Sequence, residues 1–208
     1  MELVAIDLEG SGAQERDHEA ILEIALVPLI GWQPDMTAAY CTLINPQRPI
    51  PRRPWISPGL TDDALRTAPT IEAVSPEIVR RIRGKYLVGH NIGVDWRLLR
   101  RRCPTVAPAG LIDTLRLARQ TDRAGSNGLA ALVERHGLIQ DVNRLAPGSA
   151  PHRALWDTVA CGLLMRALAV HLMGDHASAH ALLGVAEVRL DAPAGDVLTQ
   201  PTLFDQSR

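Results

Sequence analysis

MELVAIDLEG, residues 1–10, is the stretch on which the reading of this chain turns. Leu3, Val4, Ala5 and Ile6 form a short apolar run with strand character, and the run ends in Asp7-Leu8-Glu9. Successive strand side chains point to opposite faces, so Asp7 and Glu9 share one, roughly 6–7 Å apart along it. Two carboxylates side by side repel at neutral pH and destabilise the strand unless a cation lies between them. Such a pair reads either as a solvated strand end or as half of a metal site.

Working outward, ILEIALVPL (residues 21–29) and AAYCTLI (38–44) read as two further strands. The proline-rich stretch 45–59, NPQRPIPRRPWISPG, cannot lie inside a sheet and reads as loop. Helical patterns follow at 61–66 and 70–84, with a fresh turn expected at Ser75-Pro76. YLVGHN (86–91) is a fourth strand running into the helix VDWRLLRRR (94–102), and GLIDT (110–114) is a fifth. Ser126 is positioned to cap a helix over 127–137 that Gly137 closes, and 138–151 reads as loop. The longest helix is expected from HRALWDTVACGLLMRALAVHL, residues 152–172. A strand meander followed by alternating strands and helices predicts a mixed α/β sheet of five strands flanked by helices. The expected division is one domain over 1–173, a short helix and linker over 174–197, and a tail over 198–208.

Composition narrows the function classes. With 22 Lys and Arg against 23 Asp and Glu, the net charge of −1 argues against coating nucleic acid by bulk charge. Two local basic clusters, Arg80/Arg81/Arg83/Lys85 and Arg97/Arg100/Arg101/Arg102, read equally as solvated helix faces or as contacts for an anion. Three widely spaced cysteines without a C-x-x-C pair suit a reducing, cytoplasmic setting and no zinc knuckle. No uninterrupted apolar run reaches the ~18 residues of a membrane span, so no membrane association is expected. The opening residues have a strand pattern without a basic flank, so no signal peptide is expected.

Two more acids change the meaning of the first pair. Asp95 falls at the start of the helix after the fourth strand, where open-sheet folds gather functional groups. Asp157 falls in the first turns of the long helix, five residues after His152. Five helical steps turn about 500°, so His152 and Asp157 cooperate only if His152 lies on the loop before the helix, a placement Pro151 favours.

In order, DLEGSG, ILEIALV, LINPQRPIP, LVGHNIGVDWRLL, DTLRLAR and HRALWD resemble the motif series of DnaQ-like exonucleases of the DEDDh class, over roughly residues 2–172. SNGLAAL followed by HRALWD is similar to the exonuclease X and proofreading-subunit branch. The resemblance implies a ribonuclease-H-like fold and metal-dependent removal of nucleotides from DNA 3′ ends. It implies two Mg²⁺ ions, with Mn²⁺ able to substitute, held by Asp7, Glu9, Asp95 and Asp157, and His152 as general base. Oxygen ligands without zinc-type cysteines agree with such hard cations on independent grounds. It also places Gly10, Ser11, His90 and Asn91 near the terminal nucleotide.

Three departures bear on substrate grip. Gly10 and Ser11 stand where the family commonly has two threonines, Pro58 replaces a substrate-contacting histidine, and Val94 replaces a phenylalanine.

Weaker signals remain. Asp175, His176 and His180 have a spacing that suits a metal or an exposed helix face. Trp32, Trp55, Trp96 and Trp156 could stack bases, although core packing accounts for most tryptophans. The single phenylalanine, Phe204, lies in QPTLF, where Gln200, Leu203 and Phe204 resemble the Q-x-x-L-F peptide that docks on bacterial sliding clamps. The stretch before it reads as an extensible lead; the alternative is a tail folded back on the core. Two other functions compete: trimming of RNA, and a clamp-associated binding module with weak nuclease activity.

Overall fold

A computed structural model describes residues 1–50, 53–121, 125–174 and 178–191. Its strands are β1 (Leu3–Gly10), β2 (Ile21–Ile30), β3 (Gln33–Pro34), β4 (Tyr40–Leu43), β5 (Tyr86–Gly89), β6 (Gly110–Asp113) and β7 (Glu187–Val188). Its helices are α1 (Asp62–Arg66), α2 (Ile71–Ile82), α3 (Gly93–Arg102), α4 (Thr114–Thr121), α5 (Leu129–Arg135), α6 (Ile139–Leu145), α7 (Ala154–Met173) and α8 (Ala179–Ala186).

All strands join one sheet in the order β3-β2-β1-β5-β6-β7, with β4 also paired to β2. β1 is antiparallel to β2 and parallel to β5, and β5 is parallel to β6, so the sheet is mixed as expected. It has seven strands rather than five. β3 and β7 are two residues each, too short to carry a period, and exist because tertiary packing brings them to a sheet edge.

Alternation along β1 divides the core. Val4 and Ile6 face a layer built with α2 and α3, around Ile78, Ile82 and Leu99. Leu3 and Ala5 face the opposite layer, built with α4, α7 and α8, around Leu164, Leu168 and Leu182. Asp7 and Glu9 continue the Leu3–Ala5 row, so the apolar face that supports α7 ends in carboxylates. α7 has the length and hydropathy of a membrane span, yet most of its residues are buried within this fold. Gly162 lets it sit this close: a Cβ there would meet Leu29 Cδ2 at 2.9 Å.

Four local expectations change. Pro76 does not restart a helix; α2 runs through it, capped by Thr70. The turn at Ser126 precedes the helix, which starts at Leu129 after Gly128. Residues 139–145 are helical rather than loop, because Leu138, Val142 and Leu145 recur at helical spacing and pack beside Trp156 and Val159. Beyond residue 173, α8 and β7 pack on the same sheet, with Trp96 Nε1 and Arg100 Nη1 donating to the Leu190 carbonyl at 2.9 and 3.1 Å. Of the expected 174–197 segment, 178–191 thus lies against the domain. Gln200, Leu203 and Phe204 lie outside the described residues, as do Asp175 and His176; His180 is exposed.

Candidate active site

The C-terminal end of β1 carries the site. Single ligand oxygens of Asp7, Glu9 and Asp157 lie within 4.8 Å of one another. Asp157 reaches them because α7 starts over this strand end. Asp95 is brought in by the parallel β5–α3 connection, and its Oδ1 accepts the Leu8 N–H at 3.1 Å. His152 lies on the loop immediately before α7 with φ 64°, and its N–H approaches Asp157 Oδ1 at 3.4 Å. Its side chain is exposed.

Burial, reinforced by the neighbouring acids, raises all four carboxyls. Burial, then Asp157, Asp95 and Glu9, push Asp7 well above the usual carboxylate range. Burial lifts Glu9 to about 8 although the Ser57 hydroxyl opposes it by donating to Oε2 at 2.5 Å. Burial lifts Asp95 and Asp157 to about 7 each, partly offset by the Leu8 and His152 N–H groups. Asp7 Oδ2 is buried without a hydrogen-bond partner. An orphaned carboxylate oxygen among other carboxylates is costly unless a cation completes it. The donor set is all oxygen, which suits a hard divalent ion rather than zinc.

The nucleotide-facing candidates are placed differently. Gly10 lies where the β1–β2 register shifts, and Ser11 is fully buried. The Ser11 hydroxyl donates to Glu15 and accepts the Ala20 N–H at 2.9 Å, so it closes the loop between β1 and β2. Burial pulls His90 down to about 4, which keeps the ring neutral. Nε2–H then donates to the Asn127 carbonyl at 2.8 Å while Nδ1 accepts from the Thr114 hydroxyl at 2.9 Å. Both ring nitrogens are thus bonded inside the protein. Asn91 is buried at φ 61°, its N–H donating to Asp113 Oδ1 at 2.8 Å.

Glu23 and Asp113 escape sequence reasoning. Glu23 stands opposite Glu9 in the antiparallel register and therefore shares its face. It is buried and receives both Nε (2.8 Å) and Nη2 (2.7 Å) of Arg153, plus the Ala154 N–H at 3.2 Å. The signal was present in ILEIALV, where a charge interrupts a buried strand. Asp113 accepts the Leu115 N–H at 2.9 Å as well as that of Asn91, tying the start of α4 to the β5–α3 turn.

In the second basic cluster, arginines bond the protein's own backbone. Arg102 Nε and Nη2 donate to the carbonyls of Glu19 and Asp17, both at 2.6 Å, and Arg101 Nη1 to that of Arg16 at 2.5 Å. In the first cluster, Arg81 donates to Glu77 and to the Ala38 carbonyl, each at 2.6 Å.

A mixed sheet in this order, with a carboxylate cluster at the end of its first strand, defines the ribonuclease-H-like nuclease fold. This chain belongs to the exonuclease family: the RNase_T exonuclease model matches residues 4–165. It is 31% identical over 161 residues to a DNA polymerase III subunit epsilon-like protein of Rhodobacter capsulatus, covering 76% of this chain and 22% of the relative. It is 28% identical over 167 residues to RNA exonuclease 4 of Mycosarcoma maydis, covering 74% and 43%. The chain thus spans less than half the length of either. Among solved structures it is similar to exonuclease X in complex with 5′-overhanging duplex DNA, with TM-score 0.61, 28% identity and coverage of 84% of this chain and 95% of that one.

Proposed function

We propose that this chain is a metal-dependent exonuclease that removes nucleotides from DNA 3′ ends. The observation that carries the reading is the convergence of Asp7, Glu9 and Asp157, together with a buried Asp7 oxygen that has no hydrogen-bond partner.

Asp7, Glu9, Asp95 and Asp157 would hold two Mg²⁺ ions, with Mn²⁺ as substitute. Bound there, the cations supply charge to the scissile phosphate and the departing 3′ oxygen. His152 takes the proton of the attacking water, for which it must be neutral. Its position on the loop before α7, with its N–H beside Asp157 Oδ1, supports that role. Arg153 and Glu23 hold that loop, while Ser57 orients Glu9.

The same carboxylates would serve RNA hydrolysis as well, because discrimination rests on contacts to the 2′-hydroxyl and not on the metal ligands. The DNA reading is supported by the epsilon-like relative and exonuclease X. Gln200, Leu203 and Phe204 support docking on a bacterial sliding clamp by their sequence alone. The free cysteines, Cys41, Cys103 and Cys161, support a cytoplasmic setting. Degradation of 5′-labelled single-stranded DNA and RNA, side by side, with Mg²⁺ and with chelator, tests the reading. Shortening of DNA from its 3′ end that chelator abolishes is expected; full activity in chelator, or RNA as the sole substrate, overturns it.

A further inference from the structure

Arg153, the residue between His152 and the start of α7, uses only part of its guanidinium inside the fold. Nε and Nη2 form one fork on the buried Glu23, at 2.8 and 2.7 Å. A carboxylate that takes the Nε–Nη2 edge leaves the Nη1–Nη2 edge able to form a second fork. Among the described residues Nη1 donates to none, and the side chain stays partly exposed. The bond to Glu23 fixes the plane of the group, so the open edge is held in one orientation.

What lies around that edge gives it a use. At Gly59, with φ 89°, a Cβ would have Arg153 Nη1 as its contact, at 3.6 Å. The backbone angle calls for glycine there, and the side chain that glycine lacks would lie against the open edge. Gly59 follows closely on Ser57, whose hydroxyl donates to Glu9, and Arg153 follows His152. Glu23 stands opposite Glu9 in the β1–β2 register, so the guanidinium is one side chain removed from the clustered carboxylates. A preorganised cation with an open fork, beside a phosphodiester-cleaving site, matches the two non-bridging oxygens of a phosphate.

We propose that Arg153 grips a backbone phosphate near the 3′ end of the bound strand through its Nη1–Nη2 edge. The proposal rests on the nuclease reading and deepens it. Phosphate contacts carry no sequence information but fix register, so Arg153 sets which linkage lies over the carboxylates. Glu23 has two parts in this: it neutralises the cation within the fold, and it keeps the guanidinium from collapsing onto Glu9. With the Ser11 hydroxyl and the His90 ring both bonded internally, the arginine supplies grip that those groups do not.

The test uses the full chain and a single-stranded deoxythymidine oligonucleotide. Affinity is read by fluorescence anisotropy with Ca²⁺ replacing Mg²⁺, and cleavage separately with Mg²⁺. Two variants remove the second fork in different ways. Arg153→Lys keeps a cation for Glu23 without a fork, while Glu23→Gln with Arg153→Met removes both charges and leaves the net charge unchanged. Each should weaken binding by ~10–100-fold. The double variant should also flatten the slope of log affinity against log salt by about 0.7, the release expected for one phosphate of a single strand. Uncharged methylphosphonates, placed singly at each of the last three linkages, then locate the contact. At one linkage wild type should fall to the level of the variants, and the variants should lose little more. An arginine that only supports the fold gives the same variant defect whichever linkage is neutral, and that result overturns the proposal. Wild-type affinity and salt slope in the double variant overturn it too. Absence of cleavage by wild type would sink the nuclease reading instead, because anisotropy reads the phosphate contact without turnover.

Discussion

Arg153, the residue after His152, forks its guanidinium over both carboxylate oxygens of Glu23, at 2.8 and 2.7 Å. Glu23 also accepts the Ala154 N–H, so one buried carboxylate on β2 bonds the first turn of α7 and fixes the loop that carries His152. Without Arg153, Glu23 would add another unpaired negative charge to the face that holds Asp7 and Glu9.

Breaking this pair from one side should cost more than removing it whole. Arg153→Met leaves Glu23 buried and unpaired, for about 3 kcal/mol of lost stability, the lower end of the usual range because the Arg153 side chain keeps 32% exposure. Glu23→Gln with Arg153→Met should recover much of that in denaturant unfolding. Additive losses in the double-mutant cycle would show that the two charges are not coupled.

Asp157→Asn should lower the rate by at least ~10³-fold, since it removes a ligand from the metal cluster. The same change should raise the melting temperature of the metal-free protein, because it relieves repulsion among buried carboxylates. Loss of activity together with a lower metal-free melting temperature would instead mark Asp157 as a structural residue.

The metal-free chain should lose stability as pH rises, and bound metal should offset that loss. Glu9 at about 8 and Asp95 and Asp157 at about 7 are raised above their unfolded values, so the folded metal-free chain binds more protons than the unfolded one. Its stability should fall as pH rises from about 4 to about 8 and then level off. Divalent cations favour the ionised carboxylates, so the metal-induced rise in melting temperature should grow over the same interval, to ~5 °C or more. Thermal melts at pH 5, 6.5 and 8, with Mg²⁺ or chelator, measure it; a metal effect independent of pH contradicts the assignment.

His152→Ala should lower kcat by about 10²–10⁴-fold and remove the ascending limb of the pH–rate profile. Its exposed side chain makes no core contact to lose, so the melting temperature should hold within a few degrees. An unchanged limb would assign the proton to another acceptor.

A peptide of residues 196–208 should bind a bacterial sliding clamp with micromolar affinity, and Leu203→Ala with Phe204→Ala should abolish binding. Nuclease activity on short oligonucleotides should survive that double change. Retained binding by the double variant rules out docking through these side chains.

Much of the fold was legible because it is written in local periods. The five longer strands, the helix across 152–172 and the shared face of Asp7 and Glu9 follow from alternation and helical spacing. The short pieces did not announce themselves. β3 and β7 are pairings of two residues each, and α6 looked like loop until Val142 and Leu145 found Trp156 and Val159.

For the site, the resemblance of the ordered motif series pointed to Asp7, Glu9, Asp95, His152 and Asp157, and the fold brings Asp7, Glu9 and Asp157 together. Only tertiary structure could decide what pairs with what. Glu23 meets Arg153 across 130 residues, Ser57 meets Glu9 across 48, and His90 is closed off by Asn127 across 37. Those contacts have no local period, since the chain between partners sets no distance between them. Whether a polar side chain is free for a ligand or spent inside the fold depends on such contacts, and packing alone spent the His90 ring and the Ser11 hydroxyl on partners within the protein.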